Sequence, residues 1–141
     1  MKAKLVGLIL LSMVVLACGT KKHTQENLPE LRIEFGFVNQ RTGGANTYIL
    51  ADNGMLYQKS TISKGYNEFK KLGEKDAALI FSTVDQLKQS HSSIYKIGEV
   101  THFVRLRTGV ELQEWKWDAN DTDLPVDLKK LDELFAVIFE K

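Results

Sequence analysis

Thr47-Tyr-Ile-Leu-Ala-Asp-Asn-Gly-Met-Leu-Tyr57 reads as two short strands joined by a tight turn. Asp52-Asn53-Gly54 supplies the turn, because Gly54 takes positive φ at no steric cost. A three-residue turn sets Leu50 opposite Leu56 and keeps Tyr48 on their face, so one side of the hairpin is apolar. Just upstream, Leu31-Arg-Ile-Glu-Phe-Gly-Phe-Val38 alternates, with Leu31, Ile33, Phe35 and Phe37 on one side. That period of two marks a third strand with one buried face.

Downstream the period changes. Ala77, Ile80, Phe81, Val84 and Leu87 follow helical spacing, which predicts a helix from about Glu74 to Gln89 with Gly73 as its cap. Glu74 and Asp76 in the first turn and Lys88 in the last suit the helix dipole. Thr101–Arg107 and Val110–Trp117 form a second hairpin around Thr108-Gly109. A two-residue Thr108-Gly109 turn would force the β-branched Thr108 to positive φ. A three-residue Arg107-Thr108-Gly109 turn avoids this and pairs Leu106 with Val110 and Val104 with Leu112. Trp115 and Trp117 then fall out of phase, which calls for a bulge near Gln113–Glu114 or a four-residue turn. Pro125 opens the last helix, whose Leu128, Leu131, Leu134, Phe135, Ile138 and Phe139 share one face. The expected order is βββ-α-ββ-α: an α+β fold with an antiparallel sheet of about five strands and two helices on one face.

The amino terminus carries an address. Lys2 and Lys4 precede an apolar run from Leu5 to Ala17, the layout of a secretory signal. That run is thirteen residues, about 20 Å of helix, too short for a hydrocarbon core of about 30 Å. Val15-Leu16-Ala17-Cys18 resembles the bacterial lipoprotein box, in which the cysteine is lipidated and becomes the first mature residue. Residues 1–17 are then a lipoprotein signal peptide. Residues 18–30 are polar and aperiodic and read as a flexible tether that includes His23. Residues 31–141 read as one domain, large enough to bury a core without staples. Cys18 is the only cysteine, so no intrachain disulfide can form. The expected location is the bacterial cell envelope, lipid-anchored to the outer membrane and facing the periplasm; Gly19 is not the aspartate of an inner-membrane retention signal.

Charge narrows the partners. Loss of residues 1–17 removes Lys2 and Lys4 and no acid, turning a formal +1 into −1. The lysines are scattered, without the basic stripe that nucleic-acid binding requires, so no nucleic-acid partner is expected.

Motifs of catalysis are absent. There is no GxSxG elbow, HExxH helix, Walker loop or GxGxxG run, and no serine or threonine has an identifiable base in sequence. His91 ends the first predicted helix and reads as a cap; His102 begins a strand without a ligand partner at local spacing. Asp118, Asp121 and Asp123 alternate as in a calcium loop, but the bend glycine and closing glutamate are missing. A connector whose last carboxylate caps the following helix explains them more simply. No metal, cofactor or catalytic residue is therefore expected. Trp115-Lys116-Trp117 admits two readings: paired indoles as a stacking platform, or core anchors under a helix, the commoner use of such large rings. Gly43-Gly44 is a permissive loop and a second candidate contact.

Phe35-Gly-Phe, Thr42-Gly-Gly, the Thr47–Tyr57 hairpin, the amphipathic helix, Trp117-Asp and the proline-started helix together resemble small lipoproteins of Gram-negative bacteria that have no assigned function. The resemblance spans nearly all of the mature chain but rests on turns, strand faces and helix starts. The element order and the Phe-x-x-x-Gly-Gly flavour of the first hairpin more distantly resemble the emfourin (protealysin-inhibitor) family of metalloprotease inhibitors. Here the glycines follow an Asn39-Gln40-Arg41-Thr42 insertion, and no inhibitory residue transfers. Two expectations follow. The first is a non-enzymatic envelope lipoprotein that binds a partner protein or cell-wall component through Gly43, Gly44, Trp115 or Trp117. The alternative is an emfourin-like inhibitor.

Overall fold

A computed structural model describes residues 27–59 and 65–139. Cys18, the signal segment and most of the expected tether lie outside them. Along the chain come β1 (Leu31–Asn39), β2 (Ala45–Ala51), β3 (Met55–Lys59), β4 (Tyr66–Lys71), α1 (Glu74–Ser90), β5 (Ile94–Tyr95), β6 (Val100–Thr108), β7 (Glu111–Asp118) and α2 (Val126–Phe139). The strands form one sheet in the order β4-β3-β2-β1-β6-β7-β5. Every neighbouring pair is antiparallel except β5 and β7, which run parallel.

The α+β class agrees with the sequence reading; the strand count and order do not. Seven strands replace five among the described residues, and the sheet is mixed. Both additions lie at sheet edges. β4, Tyr66-Asn-Glu-Phe-Lys-Lys71, has no buried residue and shifts register against β3 between Leu56 and Tyr57. Charge and a bulge blunt an edge in this way, and they also erase the alternation that announces a strand. β5 is two residues long, too short to carry a pattern.

The Asp52–Gly54 turn stands as read, with Leu50 opposite Leu56 and the Gly54 N–H on the Ala51 carbonyl. The second hairpin is corrected. Thr108 pairs with Glu111, Leu106 with Gln113 and Val104 with Trp115. The turn residues are Gly109 and Val110, not Arg107–Gly109, and no register shift occurs in this pair. Gly109 has φ +62° and, among the described residues, no non-glycine residue has positive φ, the pattern of a II′ turn with glycine first. Trp115 and Trp117 thereby come into phase with Val104 and His102 without a bulge.

Ile33, Phe35, Tyr48, Leu50, Leu56, Val104, Leu106, Trp115 and Trp117 form one face of the sheet. They share a single core with Ile80, Val84 and Leu87 of α1 and Leu128, Leu131, Phe135 and Ile138 of α2. Both helices thus cover the same face. Pro125 directly precedes α2, and its carbonyl accepts the Lys129 N–H.

The helix-free face is divided. Ile49, Ala51 and Tyr57 are buried with Leu28, Met55 and Tyr66 packed around them. Beside them runs a charged ladder centred on Glu34, which is only 6% exposed. Arg107 Nε donates to Glu34 Oε1 at 2.7 Å, Arg32 Nε to the same oxygen at 3.2 Å, and Arg105 lies 3.7 Å from Oε2. Arg105 also binds Glu114, which Lys116 reaches at 2.9 Å.

Candidate functional site

Three adjacent strands place Phe37, His102 and Trp117 side by side. Phe37 is the register partner of His102, and His102 of Trp117. Side chains at paired positions share a face, so the three rings form a row at one end of the helix-covered side. The His102 ring stands edge-on to Trp117 at 5.8 Å between centroids and 83°. Phe37 is 6.5 Å from His102 on the other flank.

α2 roofs this row. Asp132, Phe135, Ala136 and Phe139 follow i, i+3, i+4, i+7 spacing and form one stripe of the helix. Phe135 stacks on Phe35 at 3.9 Å and 5°, which docks the helix on β1. Beside that contact the stripe offers only the methyl of Ala136. A cleft of about 390 Å³ opens there, with Phe35, Phe37, Trp117, Phe135 and Phe139 among its walls. This volume lies within the range of small-molecule sites, which are apolar with a few placed polar groups.

The polar groups are His102, Asp132 and Glu133. Asp132 Oδ1 lies 2.8 Å from His102 Nδ1, and Oδ2 accepts the Trp117 indole N–H at 3.3 Å. An ionised carboxylate has no proton to give, so Nδ1 carries the hydrogen of this bond. Asp132 holds the ring in one orientation, as a carboxylate orients the histidine of a hydrolytic triad. Among the described residues, the cleft lining contains no serine, threonine or cysteine for such a base to activate.

Trp115 and Trp117 are both fully buried, so no paired platform of exposed indoles is formed. Trp115 donates to the His91 carbonyl at 2.9 Å and anchors the end of α1 to β7. Trp117 belongs to the core and to the cleft wall. His91 is the C-cap of α1, its N–H on the Leu87 carbonyl. Gly43 and Gly44 lie in the exposed turn between β1 and β2, at the sheet end that also holds Phe37. Asn39 braces that turn: its N–H donates to the Gly44 carbonyl, its carbonyl accepts the Gly43 N–H, and its side chain accepts from Arg41 and Thr42.

Two of the three aspartates of the 118–123 connector are spent locally. Asp118 accepts the Asn120 N–H, while Asp121 accepts the Asp123 N–H and pairs with Lys96 at 2.9 Å. Lys96 holds the Asp121 carboxyl below its ordinary range. Among the described residues, no three His, Cys, Asp or Glu side chains group as metal ligands.

The His102–Asp132 pair was not legible as a site, because thirty positions separate its members. The signal available was weak: a histidine in phase with Val104 and Leu106, and an aspartate beside the apolar stripe of the last helix. No protein-family model matches this chain, and no curated protein matches it either.

Proposed function

We propose that this protein is a lipid-anchored lipoprotein of the bacterial cell envelope whose folded part is a non-enzymatic binding module. The observation that carries the binding role is the aromatic cleft under α2, with its oriented His102–Asp132 pair and, among the described residues, no nucleophilic side chain in its lining. The anchor rests on Val15-Leu16-Ala17-Cys18 and the apolar run before it. A module tethered at Cys18 holds its cleft near the membrane face, where envelope proteins and cell-wall components are within reach.

Metabolic labelling with an alkyne fatty acid in the native host, followed by fractionation, tests the anchor. The expected result is label on a mature chain that begins at Cys18, lost in Cys18→Ser, with the protein in the outer-membrane fraction. A chain that keeps Met1 and an unmodified thiol would overturn it. The cleft is tested by Ala136→Trp, which fills it from an exposed helix position; loss of envelope cross-links seen with the parent is the expected result.

The braced 39–44 turn supports a second reading, an emfourin-like inhibitor, since a preordered exposed loop loses little entropy on docking. Titration of a thermolysin-like protease decides this, and full activity at micromolar excess of the chain ends it.

A further inference from the structure

We infer that the cleft under α2 binds a small amphipathic ammonium compound, with an aromatic or short aliphatic body and at least one N–H on the charged nitrogen. This rests on the cleft's being the binding site of the module and names the chemistry of its ligand.

The argument begins with what the wall can offer. Its polar side chains are two carboxylates and an imidazole; among the described residues no lysine, arginine, asparagine, glutamine or hydroxyl lines it. Trp117 has the one other polar hydrogen, and that hydrogen is committed to Asp132. His102 is engaged at Nδ1 by Asp132 Oδ1, 2.8 Å away. With two carboxylates against one imidazole, the wall is rich in acceptors. A carboxylate offers about four lone-pair sites, so Asp132 keeps acceptor capacity after serving His102 and Trp117. A ligand matched to this wall must donate hydrogen bonds.

Charge narrows the class. Asp132 and Glu133 bring negative charge to a cleft that, among the described residues, has no arginine or lysine in its lining. The apolar surface is aromatic, and ring faces attract cations, most strongly when water is excluded. An anionic ligand would meet two carboxylates with nothing to offset them. A neutral donor would satisfy the acceptors but forgo the attraction to both the acids and the rings. Ammonium satisfies all three, and the remaining aromatic wall takes its apolar body.

Selective ¹⁵N labelling of tryptophan in the full-length chain, held in lipid nanodiscs, gives a direct readout. Trp117 lines the cleft, while Trp115 is fixed to His91 and is absent from the lining. Phenethylammonium is titrated beside 2-phenylethanol and 3-phenylpropionate. The expected result is a saturable shift of the Trp117 indole signal with Trp115 unmoved. Binding of the ammonium should be at least about tenfold tighter than of the alcohol, a difference of one decade in Kd, and the carboxylate should not saturate. Asp132→Asn should weaken binding by about tenfold or more, and Glu133→Gln, an exposed position, by severalfold. Ala136→Trp should abolish the shift.

Equal or tighter binding of the alcohol or carboxylate would overturn the ligand class and leave the cleft a binding site. No saturation by any probe at about 10 mM, the weak limit of useful affinity, together with unchanged envelope cross-links in Ala136→Trp, would remove both readings.

Discussion

The backbone carbonyl of Asn46 occupies the space in which a β-carbon on Gly36 would stand. A Cβ built there falls 1.9 Å from the Asn46 oxygen and 3.2 Å from the Thr47 Cα. Gly36 sits in the middle of β1, paired with Thr47 of β2 on one side and Phe103 of β6 on the other. The obstruction is backbone inside a ladder, so it cannot turn aside as a side-chain tip would.

Gly36→Ala should therefore separate β1 from β2 at the floor of the cleft. The expected loss is about 3 kcal/mol or more, in the tail reserved for overpacking. Urea unfolding of the purified chain measures it. Gly43→Ala is the control with open space, as nothing lies within 4 Å of its built Cβ; φ +70° there leaves only a conformational cost of about 1 kcal/mol.

Glu34 carries the helix-free face. Arg32 and Arg107 are register partners, two like charges directly opposite, and the Glu34 oxygen between them makes the arrangement tolerable. Removing one partner of a buried pair costs about 3–5 kcal/mol. The arginines are 18–33% exposed, so solvent reduces that to about 2–3 kcal/mol for Glu34→Ala. Glu34→Gln should cost less, because its oxygen still accepts one guanidinium bond. Thermal melts of both variants in rising salt check this: salt should narrow the gap to the parent by screening the unmatched arginines.

Glu114 gives an acid limb. Partial burial raises its carboxyl, but hydrogen bonds from Arg105 and Lys116 more than offset that, and the group titrates below its ordinary 4.5. A depressed folded value stabilises the protein above the unfolded one, and the benefit is lost as pH falls through the folded value. Parent minus Glu114→Gln should then be about 1 kcal/mol at neutral pH. It should stay flat down to the ordinary carboxylate range and vanish below it. Denaturant melts across that range measure it, and a difference growing toward low pH would contradict the sign. Asp121 acts in the same direction, held down by Lys96 and the Asp123 N–H.

Fluorescence reads the core directly, since the chain has two tryptophans and both are buried. Native emission should be blue-shifted from the urea-unfolded chain, with acrylamide quenching severalfold weaker. Trp115→Ala should cost about 3–5 kcal/mol, as it empties the space under α1 and frees the His91 carbonyl. An emission maximum equal to that of the unfolded chain would place the indoles at the surface.

What the sequence discloses depends on how local the deciding contact is. Leu50 and Leu56 can be paired by eye because three turn residues fix their register. The second hairpin misleads for the converse reason. Val110 looks like a strand residue to be buried opposite Leu106, yet it is fully exposed in the turn, and Leu112 is half exposed. Keeping Thr108 out of positive φ sets the turn at Arg107–Gly109, which slides the strand and throws the tryptophans out of phase; the turn instead lies one residue later, at Gly109-Val110. β4 is hidden because Phe69, its one large apolar residue, sits at the register shift and packs edge-on against Tyr48. The cleft lies further out of reach. His102 and Asp132 are each placed on the right element by pattern, but only the seating of α2 over β6 and β7 brings them to 2.8 Å.

The corrected turn makes a prediction that separates it from its rival. With Gly109 and Val110 at the centre, Thr108 is the last ladder position of β6, paired with Glu111. Thr108→Gly should then destabilise the protein by up to about 1 kcal/mol, since glycine is poor in a strand. If Thr108 and Gly109 were the central pair, Thr108 would bear positive φ, and the same substitution would relieve strain and stabilise. Gly109→Ala costs about 1–2 kcal/mol through φ +62° alone, because nothing lies within 4 Å of its built Cβ. Val110→Asn, at a fully exposed second turn position, should be neutral or slightly favourable. Denaturant melts of the three variants decide the register by the sign of the Thr108→Gly change, and a gain in stability there would contradict the Gly109-Val110 turn.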